Sequence, residues 1–214
     1  MKKLQGLIRE ACVDSLEDAL RAEDCGAERI ELCSRLDLDG LTPGPELLED
    51  VMHRLTIPVH AMARPRGGNF VFTPDEVQET REHIDLCRSY DVAGVVVGLL
   101  RADGLVDVEN TRRLAAYAAP MKVTFHKAID VSADILVSLD QLLLIPEITG
   151  ILTSGGEDTA INGIDMLQKM LDKAGERLAT FAAGKVTTHN LEKLHAILQA
   201  KAYHGKQIVY DYSS

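Results

Sequence analysis

No stretch of this 214-residue chain approaches the roughly 20 consecutive apolar residues that a membrane-spanning helix needs. The opening MKKLQGLIRE has two lysines but no long apolar run, so it does not read as a secretory signal. Four cysteines, at 12, 25, 33 and 87, form no CxxC pair. That usage fits a reduced, cytoplasmic protein without structural disulfides. Positive charge is in short supply: 23 Lys and Arg face 33 Asp and Glu, a net −10. Binding to nucleic acid or to an anionic membrane is not expected. There is no GxGxxG after the first strand-like segment, no interdomain linker and no low-complexity tract. One domain over 1–214 is the expectation.

What is present is an ordinary globular balance, with 46% hydrophobic and 26% charged residues. Short apolar runs read as strands at 7–13, 28–33, 58–63, 94–98, 122–125, 150–152 and 178–182. A weaker eighth begins at Ala202-Tyr203, and Ile208–Tyr210 extends or replaces it. Helical spacing fills the gaps. Ser15 caps the first helix, which Gly26 ends. Further helices read at 46–53, from Thr73-Pro74 to about Tyr90, and at 107–117, 133–144, 158–174 and 190–199. Close to eight β/α units, eight strands and seven helices, imply a (β/α)₈ TIM barrel, with an open doubly wound sheet as the alternative. No helix follows the eighth strand, which leaves an apolar wall uncovered. A second subunit in a homo-oligomer, or the tail Gly205–Ser214, is expected to cover it.

The segment Ile57–Phe70, IPVHAMARPRGGNF, ends a strand abruptly in Pro65 and Gly67-Gly68. It presents Arg64 and Arg66 at a strand's carboxyl end, where α/β folds keep their ligand sites. Both are candidate anion-binding residues. Glu10 and Cys12 share one face of the first strand, and Glu31 and Cys33 one face of the second. Two thiols on neighbouring strands suit Cu(I), a soft ion that prefers sulfur. The plainer reading makes them buried core thiols, as it does Cys25 and Cys87. A buried carboxylate needs a partner, so Glu10 and Glu31 are expected to form a network with Arg64. The fifth strand ends in His126, Lys127 and Asp130. His126 is a candidate general acid or base beside Glu10 and Glu31. Lys127, with Ser154 and Gly155 in the run Thr153–Gly156, is a candidate anion contact, and Asp130 a candidate helix cap. Gly184-Lys185 and His204-Gly205-Lys206 are weaker anion-loop candidates. His53, His83, His189 and His195 read as helix-surface residues without metal-motif spacing.

Taken together, EACVDS at 10–15, GAERIELCSRLDLDGLTP at 26–43, IPVHAMARPRGGNF at 57–70, VTFHKAID at 123–130, LTSGG at 152–156 and HGKQIV at 204–209 resemble the CutC family. The resemblance implies a TIM barrel, a cytoplasmic location and a role in copper homeostasis with Cu(I) binding. It places the family's copper ligands on Cys12 and Cys33. Two departures stand out: Lys185 replaces a small residue after the seventh strand, and Lys127 replaces an arginine, losing its planar fork. Two functions therefore compete. One is a cytosolic Cu(I)-binding protein. The other is a metal-independent barrel enzyme acting on a small anionic metabolite, phosphorylated or carboxylated.

Overall fold

The structure, a computed structural model, describes residues 6–211. Eight parallel strands close into a barrel. They are β1 (Ile8–Val13), β2 (Arg29–Leu32), β3 (Val59–Met62), β4 (Gly94–Val97), β5 (Lys122–Phe125), β6 (Ile148–Thr153), β7 (Ala179–Ala182) and β8 (Ala202–Gly205). β8 pairs with both β7 and β1, which excludes the open sheet. Seven α-helices alternate with them among the described residues: α1 (Leu16–Asp24), α2 (Pro45–Arg54), α3 (Pro74–Ser89), α4 (Val108–Ala118), α5 (Ile135–Leu143), α6 (Ile164–Ala174) and α7 (Leu191–Leu198).

Local chemistry sets the helix starts. Ser15 accepts from the Asp18 amide. Thr73 and Glu76 form a reciprocal capping box, with Pro74 in the first turn. α5 starts later than the apolar pattern predicts, because Asp134 takes the amides of Leu136 and Val137. α6 also starts late. The Ala160 amide is drawn instead to the Gly184 carbonyl, 2.8 Å away.

Alternation along the strands divides the core into two shells. Ala11, Val13, Ile30, Leu32, Ala61, Val95, Val97, Phe125 and Ile151 pack outward in one large cluster with helix residues such as Ala19, Val51 and Leu114. The alternate residues fill the barrel. Cys12, Cys33, Met62 and Val96 form one small cluster, and Leu152, Phe181, Ala183 and Ala202 another. Buried polar groups complete it: Glu10, Glu31, His60, Thr124 and His126. Glycine makes room for the two imidazoles. A Cβ at Gly94 would fall 2.5 Å from His60 Cε1, and one at Gly98 would fall 2.2 Å from His126 Cε1.

Beyond β8 the tail covers the wall, the second of the two expected solutions. Ile208, Val209 and Tyr210 are buried in the large cluster. Tyr210 donates to Asp18 at 3.2 Å, and the Arg21 guanidinium lies 4.7 Å from its ring centre. Residues 212–214 of the expected cover lie outside the described residues. No helix among the described residues is long and apolar enough to cross a membrane.

Candidate functional site

The carboxyl ends of the strands surround a cavity of about 400 Å³. Cys12 from β1, Glu31 from β2, Met62 and Arg64 from β3 and the loop after it, His126 after β5 and His204 from β8 all line it. This is the pole where barrels of this kind carry their sites.

Sulfur and carboxyl groups meet at one point. The Sγ atoms of Cys12 and Cys33 each lie 3.6 Å from Glu31 Oε1. The three ligand atoms are all within 4.8 Å of one another. A second group, Glu10, Glu31 and His204, satisfies the same limit. Glu10 and His204 are joined by a 2.8 Å hydrogen bond between Oε1 and Nδ1, and Arg29 ion-pairs with the other Glu10 oxygen. The Arg29 guanidinium also stacks 3.8 Å from the Phe181 ring centre.

Burial and mutual contact sort the charges. Burial works against ionising Glu10, but Arg29 and His204 outweigh it and hold that carboxyl down at about 2. Glu31 lacks such a direct cation. Burial pushes it up to about 8, against the pull of His204 and with help from the negative charges of Cys12 and Glu10. The hydrogen bond from the Cys33 thiol lowers Cys12 to about 5, against burial and with help from His204. Cys33, as the donor to Cys12, is raised well above the usual thiol range. Burial opposes a charge on His204, yet Glu31, Cys12 and Glu10 raise it well above the ordinary imidazole value. These shifts favour charge on Cys12, Glu10 and His204 over charge on Cys33 and Glu31.

Several expectations need correction. Arg64 pairs with neither buried carboxylate; Arg29 pairs with Glu10. The Arg64 terminal nitrogens donate to the carbonyls of Leu38, Gly40 and Gly68, and so tie two loops together. Arg66 is not among the cavity's lining residues. Its guanidinium is committed to Glu76 and to the carbonyls of Asn69 and Val71, which leaves nothing for an anion. An anion nest does form here, from the amides of Ser154 and Gly156 and not of Gly155, but the chain's own Asp130 fills it. Asp130 accepts from the Ser154 amide at 2.9 Å, the Gly156 amide at 3.0 Å and the Ser154 hydroxyl at 2.9 Å. The Gly155 amide turns to Thr153 Oγ1. Asp130 therefore caps a loop, not the next helix. His126 is not poised as a base. Its Nδ1 accepts from the Ala128 amide, and burial, with Arg64 nearby, lowers it to about 3. Lys127 lines the cavity, half-exposed, 3.8 Å from Asp130. Cys25 is exposed and not core, because it caps the carboxyl end of α1. Cys87 is buried, as expected.

With that geometry in place, comparison with known proteins is informative. The model of the CutC family matches residues 7–209. The chain belongs to the CutC family. A human relative named copper homeostasis protein cutC homolog is 38% identical over 88% of this chain and 69% of its own length. A CutC family protein of Chromobacterium violaceum is 38% identical over 92% of this chain and 80% of its own. The crystal structure of a CutC protein from Streptococcus agalactiae superposes with a TM-score of 0.88 at 29% identity, covering 94% of this chain and 99% of that one. A dihydrodipicolinate synthase from Bacillus anthracis, at 15% identity and a TM-score of 0.62 over 94% of this chain and 69% of its own, shares the barrel alone.

Two site residues escaped the sequence reading of this family member. Arg29 stood unremarked inside ERIELC, and His204 read only as part of an anion-loop candidate with Gly205 and Lys206. Strand alternation puts Arg29 on the face of Glu31. Nothing short of barrel closure brings His204 to Glu10, since the two stand at opposite ends of the chain and meet through the β1–β8 pairing.

Proposed function

We propose that the chain is a cytosolic copper homeostasis protein that holds one Cu(I) ion between Cys12 and Cys33. One observation carries this: two sulfurs from adjacent strands converge on a single carboxyl oxygen within 4.8 Å. Two metal–thiolate bonds of about 2.3 Å laid end to end span about 4.6 Å, which such a pair accommodates. Sulfur donors select a soft monovalent ion. Met62, a polarisable thioether in the same cluster, adds to that preference. With Cys12 lowered and Cys33 raised, the proton displaced as one Cu⁺ enters comes from Cys33, and the buried charge stays balanced. Relatives named copper homeostasis proteins point the same way. Free thiols at all four cysteines fit a reducing compartment.

Anaerobic competition against a chromogenic Cu(I) chelator tests it. The expected result is one ion per chain, with affinity lowered at least about 100-fold in Cys12→Ser or Cys33→Ser. Undiminished affinity in the double variant would remove the proposal.

A further inference from the structure

Strand register brings an oxygen donor to the two sulfurs. β1 and β2 run parallel with Cys12 beside Glu31, and Cys33 follows two residues on, toward the same inward face. Glu31 Oε1 stands 3.6 Å from the Cys12 Sγ and 3.6 Å from the Cys33 Sγ. A two-coordinate Cu(I) ion uses the sulfurs alone and leaves that oxygen idle. A tetrahedral zinc ion would use it. Bonds of about 2.3 Å to sulfur and about 2.1 Å to oxygen, at the tetrahedral angle, set those atoms about 3.6 Å apart. Both sulfur–oxygen edges already have that length.

The fourth corner falls to His204. Its Nδ1 is bonded to Glu10 Oε1 at 2.8 Å, and Arg29 ion-pairs with the other Glu10 oxygen. That commitment leaves Nε2 for a ligand. A carboxylate behind an imidazole is the arrangement that orients metal-bound histidines and raises their basicity. His204 also hydrogen-bonds the Cys12 side chain, and its donor atom lies within 4.8 Å of that of Glu31. Cys12, Glu31 and His204 all line the barrel-mouth cavity, which gives an ion a way in. Charge favours a divalent occupant of the full set. Two thiolates and a carboxylate around a monovalent ion leave two negative charges buried, and a divalent ion leaves one. We propose that Cys12, Cys33, Glu31 and His204 also form a four-coordinate site for a divalent ion of the zinc class. Thiolate and imidazole donors in tetrahedral array suit zinc. The site shares its sulfurs with the copper reading but does not depend on copper binding.

Competition for Zn(II) between the reduced, metal-free full chain and a chromogenic chelator tests it. One ion per chain is expected, with a dissociation constant below about 1 μM. Glu31→Gln and His204→Gln should each weaken zinc at least about tenfold. Arg66→Ala, outside the cavity, should bind as the natural chain does. Co(II) added to the natural chain supplies a readout that holds even if the glutamine variants fail to fold. It should show the intense visible bands of a four-coordinate ion together with a sulfur-to-cobalt charge-transfer band. Absence of saturable zinc binding, undiminished affinity in either glutamine variant, or weak six-coordinate cobalt bands without sulfur charge transfer would each overturn the proposal. Cu(I) titration of the same chain reports separately. Copper bound without zinc removes this site alone, and zinc bound without copper leaves it standing.

Discussion

Asp130 shows how a single side chain can take over a site that a motif advertises. The Thr153–Gly156 run has the glycines and exposed amides of an anion nest, and the structure has the nest. Its anion is covalently part of the chain. The Asp130 carboxyl is 7% exposed and collects two amides and two hydroxyls. Asp130→Ala strips those donors of their acceptor, and a buried unmet donor costs about 1–3 kcal/mol. The expected loss of stability is on the order of 3 kcal/mol by urea denaturation. A loss below about 0.5 kcal/mol would show that solvent replaces the carboxylate freely. The same scale explains the arginines: Arg64 found carbonyls in the loop after β2 and in its own loop, Arg66 in its own loop and on Glu76 of α3, and no spacing rule announces a carbonyl cluster.

At the scale of elements, the end of the barrel is the instructive case. After β8 the chain has no helix among its described residues, yet the outer face of the last strands still has to leave water. Ile208 and Tyr210 do this from an irregular segment, packed with the large core cluster and tied to α1 through Asp18 and Arg21. Ile208 is fully buried. Ile208→Ala should destabilise the chain by about 2–5 kcal/mol, as core truncations do. Tyr210→Phe, which keeps the ring, should cost about 0.5–1.5 kcal/mol. Equilibrium unfolding distinguishes the two; equal small losses would mean that the tail is not part of the cooperative core.

For the whole molecule, a polar barrel interior implies sensitivity to acid. Burial, with Arg29 or Arg64 nearby, holds His60 and His126 at about 3, against 6.5 in a free imidazole. The unfolded chain therefore binds their protons first as pH falls, and stability drops between about 6.5 and 3. Each histidine contributes about 1.4 kcal/mol per pH unit across that window. Glu10 extends the loss from 4.5 down to about 2. Glu31 has the opposite sign: its stabilisation is full below 4.5 and is lost as pH rises toward 8. Urea midpoints should thus fall steeply from pH 6 to pH 4. His126→Gln should flatten that slope by about one proton, and an unchanged slope would contradict the burial of a neutral ring.

The sequence by itself determined the barrel, because eight strand patterns alternating with seven helical ones have few ways to bury their apolar faces. It also paired Glu10 with Cys12 and Glu31 with Cys33, since strand alternation is a local rule. Only the tertiary structure decided the partners. Barrel closure brought His204 to Glu10, loop carbonyls took Arg64, and Asp130 crossed to the nest after β6. Those choices depend on which groups come within hydrogen-bond reach after the chain closes on itself, and local spacing does not encode that distance.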